Sequence, residues 1–168
     1  ATLVFELLDR EDRVDWNRID LAVTPGISAF QAAAARIGAP MGHDFCTISL
    51  SDLLTPWEEI ERRLKAAAAG DFVVAFYNPV SKRRITQLAR ARDLLLEGRP
   101  AHTPVALARN LGRDGETLDI ITLGELTPDH ADMLTMVVVG NSQSKLIERG
   151  HRQWLYTPRG YAAKMEGR

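Results

Sequence analysis

The densest group of side chains able to do chemistry lies in residues 42–57, whose sequence is GHDFCTISLSDLLTPW. This segment combines a histidine, two aspartates, a cysteine and several hydroxyls, and it is predicted to run from a strand into a capped helix. Imidazole and carboxyl groups can give or take a proton at a reacting centre, so the segment is a candidate for acid–base chemistry. Cys46 within the apolar strand is more typical of an inert core thiol than of a nucleophile.

Four turns of small or amide-bearing residues adjoin apolar strands, and we expect all four at one edge of the sheet. In open α/β sheets ligands bind outside the carboxyl ends of the strands, and such turns let a backbone approach a flat group such as adenine or ribose. Gly, Pro, Asn and Ser dominate turns in all proteins, so this composition alone does not name a ligand. The four turns are 24–29 (TPGISA), 77–79 (YNP), 109–112 (RNLG) and 140–142 (GNS).

Lys82, Arg83 and Arg84 directly follow one of these turns. They could pair with the carboxylates of a ligand, although a run of cations is more often a solvated helix face. The sequence contains neither a phosphate loop nor a G-x-G-x-x-G motif, which argues against a nucleoside triphosphate or dinucleotide site. Its four histidines lack metal-ligand spacing, so no metal site is predicted.

The elements that must position these residues alternate between strand and helix, which indicates a layered α/β domain. We expect a mixed, substantially parallel sheet of about five to six strands. Helices are predicted at the start of the chain, over 27–37, from a cap at Thr55 to Gly70, and from Ser81 to Gly98. In the last of these helices Ile85, Leu88, Ala89 and Leu95 are expected to face the core. Strands are predicted at 19–23, 45–49, 72–77, 105–108, 118–123 and 134–139. The strand at 72–77 is fully apolar, so we expect it to be buried on both faces.

The composition is that of an ordinary globular domain, with 168 residues of which 45% are hydrophobic and 26% charged. A formal net charge of -1 gives no field that would attract nucleic acid or a membrane surface, so neither is expected as a partner. The single cysteine excludes an internal disulfide and suits a reducing cytoplasm. No apolar run approaches the length of a membrane span.

Residues 1–8 have a helical pattern with one apolar face, but no capping residue and no initiator methionine precede them. We therefore expect that a segment upstream of this helix is absent from the sequence.

Several of these segments together resemble one family, the precorrin-3B C17-methyltransferases among the tetrapyrrole methylases of cobalamin biosynthesis. The segments that carry the resemblance are 23–29, 42–57, 72–79, 104–110 and 136–142, and residues 156–161 are similar to the usual ending of that family. The motif PGISA marks only the broad superfamily, whereas the block from His43 to Asp52 and the Tyr-Asn-Pro turn are more specific.

The resemblance implies a fold of two α/β domains with S-adenosylmethionine in the cleft between them. This chain resembles the C-terminal domain of the class III tetrapyrrole methylases, because the N-terminal glycine-rich motifs of the family do not occur in it. By this analogy residues 1–14 are a connecting helix, 15–148 the C-terminal domain and 149–168 a basic and aromatic tail. Relatives are usually homodimers, so a homodimer is expected.

By position, the resemblance implies that Ser28, Ala29 and Asn78 contact the cofactor. Leu111, beside Asn110, stands where relatives pass their backbone against the adenine. Val139 and Gly140 are further cofactor candidates on the last strand.

The implied reaction is methylation of precorrin-3B at C17 with contraction of the macrocycle to precorrin-4. Methyl transfer is a displacement at a sulfonium, which needs alignment more than acid–base help, whereas ring contraction moves protons. His43 is therefore the first candidate acid or base, Asp52 the second, and Ser49 belongs to the same group. Asp52 could equally cap a helix near Leu53. The basic residues 82–84 would bind the carboxylates of the substrate.

Two alternatives remain open from the sequence. One is methylation of a different tetrapyrrole, such as another corrinoid carbon or uroporphyrinogen, although the block from His43 to Asp52 argues against it. The other is a non-catalytic half-domain that binds a partner through its inter-domain face, which would show as an exposed apolar wall.

Overall fold

The computed structural model describes residues 1–166 of the chain, which form helices and strands in two β-sheets. The helices are α1 (Thr2–Glu11), α2 (Ala29–Ile37), α3 (Trp57–Ala69), α4 (Gln87–Leu96) and α5 (Tyr161–Glu166), with 3-10 turns at Trp16–Arg18, Leu123–Glu125 and Pro128–His130. The strands are β1 (Gly38–Ala39), β2 (Phe45–Ser49), β3 (Val73–Tyr77), β4 (Pro104–Arg109), β5 (Thr117–Thr122), β6 (Thr135–Val139), β7 (Lys145–Arg149) and β8 (Arg152–Tyr156).

The larger sheet has five strands in the order β2-β3-β6-β4-β5 and is mixed, as predicted. The expectation that it is substantially parallel is wrong: only β2 and β3 pair in parallel, while β3–β6, β6–β4 and β4–β5 pair antiparallel. After β4 the chain no longer alternates strand with helix, because a short turn leads into β5 and only 3-10 turns precede β6. The short turn from β4 into β5 can join only antiparallel neighbours, whereas β5 and β6 lie on either side of β4 and are both antiparallel to it.

The core lies on both faces of this sheet. Successive side chains of β3 point to opposite faces, so Val74 and Phe76 pack with α3 and α4 while Val73 and Ala75 pack with α2. All four are at most 2% exposed, which confirms the prediction of a strand buried on both faces.

A smaller sheet has the order β1-β8-β7. Part of the expected tail therefore lies in a strand, and Leu155 of that strand is fully buried. Gly38 of β1 has φ 132°, and a Cβ there would lie 2.5 Å from the carbonyl oxygen of Leu155, so only glycine allows this approach. Residues 167–168 of the expected tail lie outside the described residues.

Three local predictions are wrong. Residues 19–23 form no strand, because no other strand hydrogen-bonds to them, and Ile19, Leu21 and Val23 are largely exposed. Helix α3 begins at Trp57 with Pro56 at its N-cap, so Thr55 is not the cap.

Helix α4 begins at Gln87 instead of Ser81, and Ile85, expected in the core, is 61% exposed. The reason is that the backbones of Ser81 and Arg84 hydrogen-bond to each other in a tight turn, which interrupts a helical path.

Among the helices in residues 1–166, none combines the length and the apolar character that crossing a membrane requires.

Candidate functional site

The carboxyl ends of β2, β3 and β4 meet at one edge of the five-stranded sheet. Ser49 ends β2 opposite Tyr77, the last residue of β3. Arg109 ends β4 opposite Thr135, the first residue of the antiparallel β6. The loop before β6 and the turns after β3 and β4 therefore lie side by side.

A cavity of about 380 Å³ opens at this edge. It brings together four of the proposed cofactor contacts, Ala29, Asn78, Asn110 and Leu111, which come from three of the four turns singled out in the sequence. The wall also includes Ile27, Ala32, Tyr77, Ala108, Arg113 and residues 133–136.

Asn78 and Asn110 shape the wall through unusual backbone conformations, with φ 49° and 55° respectively. The side-chain amide of Asn78 donates to Ser49 Oγ at 3.2 Å, which ties the ends of β2 and β3 together. The side-chain amide of Asn110 donates to the carbonyl of Asp114 at 2.6 Å, and its backbone N–H donates to Leu134 O at 3.0 Å. These hydrogen bonds hold both turns in a defined shape, and asparagine tolerates the left-handed region better than most residues.

Ser28 and Ala29 sit at the start of α2. Ser28 is the N-cap and forms a capping box with Gln31. The capping box fixes the start of the helix, and Ala29, its first residue, lines the cavity. Helix α2 thus presents its first turn to the sheet edge.

A second cavity of about 480 Å³ adjoins the first and shares Ile27, Ala32 and Leu111 with it. The backbone N–H of Gly112 on its wall donates to the Glu116 carboxylate at 2.7 Å. That hydrogen bond, with the ion pair between Glu116 and Arg36, holds the pKa of Glu116 below its usual value. The two cavities therefore lie side by side, with Leu111 on the wall of both.

Val139 and Gly140 are not brought to this edge. The N–H of Gly140 donates to Pro104 O at 2.9 Å, and Pro104 begins β4, so both candidates lie at the opposite end of the sheet. A Cβ on Gly140 would come within 2.6 Å of the Ser144 Cβ, so packing explains this glycine. The expectation that all four turns share one edge is wrong for this turn, because β6 runs antiparallel to β3.

The group of titratable residues seen in the sequence is divided by strand β2. Ser49 lies at the cavity end of the strand with Asn78, and Asp52 accepts a hydrogen bond from the Gln87 amide at 2.8 Å. His43 precedes the strand, and at the extended rise per residue it lies roughly 20 Å from Ser49. The alternative that Asp52 caps a helix near Leu53 is wrong, because residues 50–56 form no helix.

His43 lines a separate polar depression of about 320 Å³. Its Nδ1 accepts the backbone N–H of Asp44 at 2.8 Å, and Asp71 and Arg159 lie on the same wall. Among residues 1–166, no three histidine, cysteine, aspartate or glutamate side chains are close enough to hold a metal ion.

The three basic candidates differ in their surroundings. Lys82 and Arg83 are exposed at the tip of the 81–84 turn. Arg84 is only 8% exposed and donates to the carbonyl of Asn78 at 2.9 Å.

Asp132 is a residue of the site that the sequence analysis missed. It accepts hydrogen bonds from Arg109 Nε at 2.9 Å, from Thr135 Oγ1 at 2.8 Å and from the N–H of Leu134 at 2.9 Å. Although partial burial acts to raise it, these donors hold the pKa of Asp132 below its usual value. Asp132 thereby fixes the loop that forms the β6 side of the cavity, and the pair is not visible in the sequence because its members lie 23 positions apart.

The sequence profile of the tetrapyrrole (corrin/porphyrin) methylases matches residues 2–127. The chain therefore belongs to this family, whose members use S-adenosylmethionine as the methyl donor. A precorrin-3B C(17)-methyltransferase from Sinorhizobium sp is 48% identical to this chain over 163 residues, 96% of the chain and 64% of the relative. A probable cobalt-factor III C(17)-methyltransferase from Salmonella typhimurium is 45% identical over 161 residues, with the same two shares.

The crystal structure of the methyltransferase CobJ superimposes on this fold with a TM-score of 0.85 at 41% identity, over 94% of this chain and 64% of that protein. The resemblance inferred from the sequence motifs is confirmed by these matches. The chain spans 64% of the length of these relatives.

Proposed function

We propose that this chain provides the cofactor-binding wall of an S-adenosylmethionine-dependent methyltransferase that methylates precorrin-3B at C17 and contracts the ring to precorrin-4. The observation that carries the proposal is the cavity at the carboxyl edge, which gathers Ala29, Asn78, Asn110 and Leu111 in a member of the tetrapyrrole methylases. The similarity to a precorrin-3B C(17)-methyltransferase, 48% over nearly the whole chain, supports the choice of substrate.

The cavity suits a nucleoside-bearing cofactor in size and lining. Its volume of about 380 Å³ lies within the usual range for small-molecule sites, and the adjoining cavity enlarges it. Leu111 offers an apolar surface for the adenine, while Asn78 and Asn110 offer polar backbone and amide groups for the ribose and the methionyl part. The role of these groups is to align the sulfonium with the acceptor carbon, because the displacement itself needs no acid or base.

For the acceptor, we propose that Lys82 and Arg83 pair with carboxylates of the tetrapyrrole. Both side chains are exposed and follow the Asn78 turn, so they lie beside the proposed cofactor wall. For the proton transfers of ring contraction, we prefer Asp52 and Ser49 to His43, the first candidate from the sequence, because Ser49 ends β2 and Asp52 follows it at the same edge as the cavity. Because His43 lines a separate depression, it could act in ring contraction only if another part of the substrate, or another protein surface, reached that depression.

A second candidate function is a docking domain, and one observation favours it. Leu3, Val4, Phe5, Leu21 and Val23 are between 46% and 67% exposed, and α1 and the extended segment around residue 22 share a further cavity. Such a surface is expected where another domain or subunit covers it. A homodimer and a cytoplasmic location, both expected from the sequence, stay predictions.

The test is calorimetric titration of the chain with S-adenosylhomocysteine. Saturable one-to-one binding is expected, and Ala29→Leu should abolish it, because the added side chain enters the cavity while leucine keeps helix propensity. The matched control is Ala66→Leu on the exposed side of α3, which should bind as the unmodified chain does. Equal binding by both variants, or binding by neither the chain nor a longer form that contains it, would contradict the proposal.

A further inference from the structure

Arg84 is a buried cation whose hydrogen-bond partners are all uncharged. The residue is 8% exposed, and its guanidinium donates to the carbonyl of Asn78 and, at 3.4 Å, to Ser51 Oγ. Its Nη2 also lies 3.9 Å from the sulfur of Met133. Within residues 1–166 its Nε has no hydrogen-bond partner. Withdrawing a guanidinium from water is costly, so the burial of Arg84 indicates that its contacts have a role in positioning the segments that they join.

Those contacts join three segments that frame the cavity. Ser51 follows β2, Asn78 follows β3, and Met133 lies in the loop before β6. Asn78 and Met133 both line the cavity, whereas Arg84 stands behind them. A fork of N–H donors can reach several acceptors at once, which a lysine ammonium in the same place cannot do with fixed geometry.

The same residue closes the turn that carries the exposed cations. The N–H of Ser81 donates to Arg84 O at 2.9 Å, and the N–H of Arg84 donates to Ser81 O at 3.1 Å. Lys82 and Arg83 lie between these two residues. Fixing Arg84 therefore fixes both the Asn78 turn and the base of the turn with the two cations.

We propose that Arg84 is a positioning residue of the cofactor site, not a ligand for substrate carboxylates. It holds the carbonyl of Asn78, and so keeps the left-handed backbone of that residue against the cavity. The role assigned to the cavity rests on the proposed function, but the effect of Arg84 on the Asn78 turn does not depend on it.

The physical reason is the conformational cost of the turn. A non-glycine residue with φ 49° lies in a sparsely populated region, which persists only when surrounding contacts require it. The hydrogen bond from Arg84 is charge-assisted and therefore stronger than a neutral one. Without this hydrogen bond, the Asn78 turn is expected to sample other conformations, and the hydrogen bond from the Asn78 side-chain amide to Ser49 Oγ is expected to be lost.

The first test uses the ligand-free chain. Methionine methyl groups and backbone amides are observed by NMR in Arg84→Met, Arg84→Lys and the control Arg63→Met, an exposed residue of α3. The chain has four methionines, and Met133→Leu assigns the relevant signal. We expect Arg84→Met to shift or broaden the Asn78 amide and the Met133 methyl while the strand signals of β4 and β5 stay in place. Arg84→Lys should give a smaller change, and Arg63→Met none.

The second test measures S-adenosylhomocysteine affinity of the same variants. Arg84→Met should weaken binding about tenfold, the size of one lost hydrogen bond to a charged group, and Arg84→Lys should recover part of it. The proposal would be overturned if the Asn78 and Met133 signals were unchanged in Arg84→Met, or if the changes were spread evenly through the sheet. It would also be overturned if these signals changed but the affinity for S-adenosylhomocysteine did not. If Arg84→Met does not fold, the same signals in Arg84→Lys decide. Absence of binding by both the unmodified chain and a longer form that contains it counts against the proposed function alone, because the ligand-free signals then decide the role of Arg84.

Discussion

Asn78 and Asn110 occupy equivalent places at the ends of two strands and share a left-handed backbone, with φ 49° and 55°. One follows β3 and the other follows β4, and both line the same cavity, although they are 32 positions apart in the sequence. β6 lies between those strands and runs antiparallel to both, so the two carboxyl ends face the same edge. Two strained turns at one cavity are typical of a site in which the backbone is preorganised for a ligand.

The strain at Asn110 can be measured with a matched pair of substitutions. Asn110→Ala removes the hydrogen bond to Asp114 O and leaves a β-carbon in the left-handed region, so we expect a loss of ~2–3 kcal/mol in the free energy of unfolding. Asn110→Gly loses the same hydrogen bond but tolerates the conformation, so it should be less destabilised by ~1 kcal/mol. Urea denaturation of both variants gives the difference. Equal stability of the two would mean that the backbone at this position is not held left-handed.

Lys82 and Arg83 are expected to affect the acceptor but not the cofactor. Replacing both by methionine removes two exposed positive charges from the turn that follows Asn78, so a polycarboxylate tetrapyrrole should bind at least tenfold more weakly at low salt. The difference should shrink as salt is added, because exposed charges are screened. Fluorescence titration with a tetrapyrrole at two salt concentrations measures this. S-Adenosylhomocysteine affinity in the same variant serves as the control, and a parallel loss there would contradict the division of roles.

The parts of the fold that follow from local pattern were predictable from the sequence. The run of apolar residues in β3 and the apolar stripe of α3 match the structure, because a continuous apolar run and apolar residues at period 3.6 are both visible in the residue types themselves. Residues 19–23 have the same apolar character, but a strand exists only if a neighbour pairs with it, and pairing is not a local property. The direction of β6 was likewise unpredictable, since it depends on which strands lie beside it.

The candidate site was predictable in the same partial way. Turn residues such as Asn78 and Asn110 were found because asparagine and glycine after a buried strand are a local signal. The contacts of Arg84 with Met133 and of Arg109 with Asp132 join positions 49 and 23 apart, so no spacing rule indicates them. His43 and Asp52 are close in sequence but lie at opposite ends of a strand, because an extended chain separates residues that a helix would bring together.

Arg99 should contribute more to stability than any exposed arginine. Its side chain is fully buried and donates to the carbonyls of Gly140 at 2.7 Å, of Ala67 at 3.2 Å and of Phe72. Arg99→Met leaves these carbonyls without their donor, and we expect a loss of ~3 kcal/mol in the free energy of unfolding. Arg63→Met, on the surface of α3, should change stability by less than ~0.5 kcal/mol. Similar urea midpoints for the two variants would contradict the role of Arg99 in joining α3, β3 and β6.

The ion pair of Asp132 with Arg109 predicts a pH dependence of stability whose sign follows from the lowered pKa of the carboxyl. A carboxyl with a lower pKa in the folded state stabilises the fold above its unfolded pKa of about 3.9, and this contribution is lost as the pH falls through the folded pKa. Asp132→Asn should therefore be less stable than the unmodified chain near pH 7, and the gap should close below about pH 4. Both side chains are more than 40% exposed, so the gap at neutral pH should not exceed ~1 kcal/mol.

Thermal unfolding of both proteins from pH 7 to pH 3 measures the gap, with Asp119→Asn on the exposed face of β5 as the control. A gap that widens on acidification would show that Asp132 is not held as a carboxylate by Arg109 and Thr135.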